Sequence, residues 1–163
     1  MKKTMLALTI TALALPIANA TDPPDVKEGL WSVHTEITNN PGGKKVESTY
    51  TLCRTHAFDQ LVRGREKAMK GCSTVGENLQ ASTYSSAVRC ATRSTTIESK
   101  GSTTFEGDSA SHGDTHVTYT PALGGVSEST IVTEQKFVGS CPDGTQPGDR
   151  INPDGTVIHL GAK

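Results

Sequence analysis

Between Lys27 and Ile37 the chain reads K-E-G-L-W-S-V-H-T-E-I, and side chains of opposite character alternate through it. Trp31, Val33, Thr35 and Ile37 fall on one side, and Ser32, His34 and Glu36 on the other. A strand sends successive side chains to opposite faces, so this period of two specifies a half-buried β-strand. Trp31, the only Trp in the chain, is its core anchor. A strand of this kind needs neighbours, and the remaining sequence supplies further short alternating runs separated by turn residues.

The first of these follows at once. Asn39-Asn40-Pro41-Gly42-Gly43 is a turn, because Asn and Gly accept positive φ and Pro presets the bend. Residues 44–53 place Val46, Tyr50 and Leu52 on one face and form a hairpin with the Trp31 strand. Thr55 to Lys70 is the one helical stretch. Thr55 is its N-cap, Phe58, Leu61, Val62, Arg65 and Met69 follow the three-four spacing, and Gly71 stops it. Arg63, Arg65, Lys67 and Lys70 on its polar side are a solvated face with cations near the C-terminal end; an anion or lipid-headgroup patch is the sharper alternative.

From Cys72 onward only strands and turns are predicted. Residues 72–79 and 82–90 form a hairpin about Ala81, which sets Cys72 opposite Cys90; since that register puts Cys72 on the face away from Val75 and Leu79, a bulge or a longer turn is expected. Residues 93–106 carry Ile97, Thr103 and Phe105 on one face, residues 111–120 carry Val117 and Tyr119 inward, and residues 126–139 carry Ile131, Thr133, Gln135 and Phe137 together. Asn152-Pro153-Asp154-Gly155 is a turn that closes a small terminal hairpin through Val157 and Ile158, within a Gly-, Pro- and Asp-rich tail over residues 142–163. Several strands with one short helix predict a mainly β domain over residues 21–141: a single antiparallel β-barrel or strongly curved sheet of about seven to eight strands.

Residues 1–20 stand apart. Lys2 and Lys3 precede an apolar run that ends in Ala18-Asn19-Ala20, the pattern of a secretory signal peptide, so a mature chain starting at Thr21 and a periplasmic location are expected. Its removal takes away two of the 16 basic residues and none of the 17 acidic ones. A mildly acidic protein lacks the field of a nucleic-acid binder, and no later stretch is apolar enough for a membrane-spanning helix. The chain has 4 cysteines, Cys53, Cys72, Cys90 and Cys141, without a C-x-x-C pair. In an exported chain that points to two disulfides, of which four cysteines allow three arrangements. The hairpin argument favours Cys72–Cys90, leaving Cys53–Cys141. With hydrophobic residues at 34% and aromatics at 4%, the core is thin enough to need such staples.

For chemistry, His112, Asp114 and His116 share one face of a strand, and two imidazoles with a carboxylate are a donor set for Zn²⁺ or Cu²⁺. Alternation alone accounts for the same pattern as a solvent-facing surface, and residues four apart on a strand stand ~13 Å apart. Nucleophile elbow, phosphate-loop and dinucleotide fingerprints are absent, so no cofactor is expected. Two readings remain. One is a non-catalytic module for a small apolar or amphiphilic ligand or a periplasmic protein. The other is an enzyme or metal-binding protein using His112, Asp114 and His116.

One resemblance links these features. Pro23-Pro24 followed by Gly29-Leu30-Trp31-Ser32-Val33, then Cys53 with Thr55 and a helix over 58–69, Cys72 opening a strand, Cys90 closing one, Gly107-Asp108-Ser109 and Gly139-Ser140-Cys141 come in the order of one exported Gram-negative family. From Pro23 to Cys141 the chain resembles that family, domain of unknown function 3617. The resemblance implies a periplasmic location and a β-rich fold, and carries no activity.

Overall fold

The computed structural model describes residues 22–161; the predicted signal peptide lies outside the described residues. Among them, nine strands form one antiparallel sheet beside one helix. In chain order they are β1 (Gly29–Asn40), β2 (Lys44–Arg54), α1 (His56–Lys67), β3 (Cys72–Gln80), β4 (Thr83–Ala91), β5 (Thr96–Glu106), β6 (Ala110–Leu123), β7 (Val126–Gly139), β8 (Asp149–Ile151) and β9 (Val157–His159). Their order across the sheet is β3-β4-β5-β6-β7-β1-β2-β8-β9. The run from β3 to β7 is a meander of hairpins, and the Trp31 strand enters between β7 and β2, inside the sheet.

The predicted β-barrel of about seven to eight strands is corrected here to an open sheet of nine that neither closes nor curls strongly. Closure would require β3 to pair with β9 at the far edge, or with the part of β2 that β8 leaves uncovered. The chain between β2 and β3 is a helix rather than a hairpin turn, and the outer edge of β2 is taken by β8 at Thr51 and Leu52. The Gly-, Pro- and Asp-rich tail is thus part of the sheet, because its turn at Asn152–Gly155 folds Val157–His159 back onto Asp149–Ile151.

Local chemistry sets most boundaries. Thr55 caps α1 by accepting a hydrogen bond from the Phe58 amide, and the helix ends at Lys67 with Ala68 as its C-cap, short of the expected Lys70. In the β3–β4 hairpin, Gln80 faces Thr83, and Ala81 in the turn has φ +53°. The expected bulge falls between Thr74 and Gly76, where Val75 is extruded to 62% exposure, and this lets Cys72 stand opposite Cys90. β5 starts later than its alternation predicts because the Thr92 hydroxyl accepts from the amides of Ser94 and Thr95, holding a turn there. β6 runs on past Thr120 to Leu123, leaving Gly124-Gly125 as the turn.

The core is small: Trp31, Val33 and Phe58 gather at one end of the sheet, and Val117 is buried toward the other. Trp31 is 0% exposed, and Val26, Val33, Cys53, Phe58 and Val117 are buried. The disulfides are Cys53–Cys141 and Cys72–Cys90. Phe58 of α1 presses on Gly148, where a Cβ would come within 2.6 Å of its ring, so only glycine lets the helix and the tail meet this closely.

Candidate functional site

The two faces of the sheet have different chemistry, and cross-strand register sorts them. On the outer face, His34 of β1, Glu134 of β7, His112 of β6 and Thr104 of β5 lie in one row. The His112 ring stands between two carboxylates, with Nδ1 2.5 Å from Glu134 Oε1 and Nε2 2.8 Å from Asp114 Oδ2. Glu134 first and Asp114 second hold its pKa above the ordinary histidine value. His116 lies further along the strand, beyond Asp114, opposite Lys100 and Thr130.

The sequence-predicted set is therefore split. The fold joins His112 to Asp114, adds Glu134, and leaves His116 apart. Both His112 nitrogens are engaged by carboxylates, and among the described residues no group of three or more His, Cys, Asp and Glu is arranged to hold a metal ion. Glu134 escaped the sequence reading because its approach to His112 depends on the pairing of β6 with β7, which no spacing along the chain encodes.

The inner face carries Trp31 and two further rows. The first is Val46, Ile37, Ile131, Thr115, Gly101 and Ser86, crossing from β2 to β4. The second is Ser48, Thr35, Thr133, Gly113 and Thr103. Small residues dominate both, and apart from the exposed Val46 each is half-buried. Bulkier side chains flank them. Toward the core end stand Tyr50, Val33 and Phe105, then Trp31 and Phe137; on the opposite side stand Val117, Val88, Tyr119 and Ile97. The second row, low between larger side chains on β2, β1 and β7 and continued beside Gly113 and Gly101 on β6 and β5, makes a shallow trough across five strands. At ~4.8 Å per strand spacing it is ~19 Å long. At Gly101 an added Cβ would lie 2.7 Å from Thr115 Oγ1, so the floor there is as low as the backbone allows.

The Trp31 end of this face is tied by side-chain contacts that the sequence reading did not reach. Arg54 reaches Asp59 through Nε at 3.0 Å and Nη2 at 2.9 Å, donates from Nη1 to Gln135 Oε1 at 2.8 Å, and stacks 4.8 Å over the Trp31 ring. Trp31 Nε1 donates to the Lys27 carbonyl, and its ring meets Phe137 edge-on at 6.1 Å. The Tyr84 hydroxyl donates to Glu77, which also pairs with Lys67 of α1; burial first, then Glu77, pushes the tyrosine up to about 12.

Helix α1 is neither long nor apolar enough to cross a membrane, and the same holds of every helix among the described residues. No curated protein shows significant similarity to the chain. The family described as "Protein of unknown function (DUF3617)" matches residues 26–141, which spans the sheet from the lead before β1 to the second cysteine of the Cys53–Cys141 disulfide. The chain belongs to that family.

Proposed function

We propose that this is an exported, non-catalytic binding module of the periplasm whose inner sheet face receives a small apolar or amphiphilic ligand. The observation that carries the reading is the trough. Ile37 and Ile131 adjoin a floor of Ser, Thr and Gly on a face whose thin core is densest at the Trp31 end. Half-buried apolar groups beside hydroxyls suit a ligand with an extended hydrocarbon part and a polar end. The sequence pattern of residues 1–20 and the two disulfides support export to an oxidising compartment. A catalytic reading has less support, since His112 is held by two carboxylates on the exposed outer face.

The test is native mass spectrometry of protein purified from cells, set against its denatured mass. The expected result is an excess in the lipid or small-molecule range that Ile131→Glu removes while the melting temperature holds. No excess, together with no uptake of an apolar fluorescent probe, would overturn the small-ligand reading and turn the search to a protein partner.

A further inference from the structure

The edge of β2 is only partly covered. β8 pairs with Thr51 and Leu52 and goes no further toward the β1–β2 turn. The Cys53 carbonyl points to that edge, accepting from the Gly148 amide at 2.8 Å. Backbone groups of alternate residues in a strand share a direction, so those of Thr49, Glu47 and Lys45 point outward at the same edge, where β8 does not reach. The Phe137 amide donates to the Ser109 carbonyl, which fixes the same alternation from the other side of the sheet.

We propose that this open segment of β2 pairs antiparallel with the same segment of a second copy, on a two-fold axis at Val46. A symmetric pairing must superpose the strand on itself, so its register is set by the residue at the axis. An axis at Lys45 would oppose Lys45 to Lys45, and one at Glu47 would oppose Glu47 to Glu47. An axis at Val46 sets Lys45 against Glu47 of the second copy, twice, through outward-facing backbone groups. Axes nearer Arg54 run into β8.

The charges within one chain favour the same arrangement. Glu36 and Glu47 stand opposite each other across β1 and β2, an unfavourable like-charge pair. Lys45 is bonded to Glu36 at 2.7 Å, and among the described residues Glu47 forms no salt bridge. Lys45 of the second copy supplies the cation that Glu47 lacks. Val46, 47% exposed at the open end of the inner face's first row, meets its own equivalent across the axis. The two inner faces then form one surface, with the troughs end to end.

The experiment is sedimentation or light scattering on the full chain, with K45E and E47K alone and mixed. The wild type is expected to dimerise. Each single variant faces like charges across the axis and loses affinity roughly tenfold, the effect of two cross-strand pairs changing sign. An equimolar mixture recovers a heterodimer, because the carboxylate introduced by K45E then meets the ammonium introduced by E47K, and the unaltered Lys45 and Glu47 meet each other at the second pair. A wild type that stays monomeric at millimolar concentration would overturn the proposal. So would association that neither variant weakens, or variants that the mixture fails to rescue. None of these outcomes depends on whether the trough holds a ligand.

Discussion

Arg54 and Asp59 form a two-point ion pair across the junction of β2 and α1, at 3.0 and 2.9 Å, with side chains only 16% and 13% exposed. The guanidinium also lies over Trp31 and donates to Gln135 of β7. One side chain thus joins the helix to three strands, at the place where the core is densest. Planar two-point recognition with ring stacking is what Arg supplies and Lys does not.

Arg54→Met is expected to destabilise the protein by about 3 kcal/mol, because Asp59 is left largely buried without its partner. Asp59→Leu in the same background should return a large part of that loss. Urea denaturation followed by circular dichroism gives both values, and a double variant no more stable than Arg54→Met would show that the pair is not what holds the junction.

Trp31→Ala should cost about 3–5 kcal/mol, as expected for a fully buried aromatic whose site cannot collapse. Because Trp31 is the only Trp, its fluorescence in the wild type reports core unfolding directly. Its transition should coincide with loss of strand signal, and separate transitions would mean that the sheet outlives its core.

The two disulfides should contribute unequally. Cys53–Cys141 spans 88 residues and Cys72–Cys90 spans 18, so by chain entropy they contribute about 4.5 and about 3 kcal/mol. Replacing Cys53 and Cys141 together by Ser should lower the denaturation midpoint more than replacing Cys72 and Cys90. The reverse order would mean that the β3–β4 edge, and not the tie between β2 and the end of β7, limits stability.

His112 should titrate above the ordinary histidine value of about 6.5. Its folded pKa is raised, so its contribution to stability is complete below the unfolded value and is lost as pH rises through the folded one. Ring proton shifts measured against pH should show this, with Glu134→Gln lowering the midpoint more than Asp114→Asn. An unchanged midpoint in both variants would mean that neither carboxylate holds the ring in solution.

Much of the fold was legible from alternation. The Trp31 strand, its hairpin through Asn39–Gly43, the bulge implied by the parity of Cys72, Val75 and Leu79, and the β7 boundaries all follow from local pattern and turn chemistry, which act within a few residues. The capped start of α1 followed in the same way from Thr55. The spread of the apolar stripe did not: Leu61 and Met69 are exposed, because α1 turns Phe58 to the core and little else packs on it.

Local pattern specifies which segments are strands, which face of each is apolar, and that four cysteines in a thin-cored chain pair. These depend on covalent geometry and on period-two patterning, which are written residue by residue. The tertiary structure alone decided that the sheet stays open, that the tail becomes its eighth and ninth strands, and that Glu134 rather than His116 completes the surroundings of His112. Those outcomes depend on which strand edges meet and in what register. Backbone hydrogen bonds between edges are nearly alike for every pairing, so the choice falls to contacts between residues far apart in the chain.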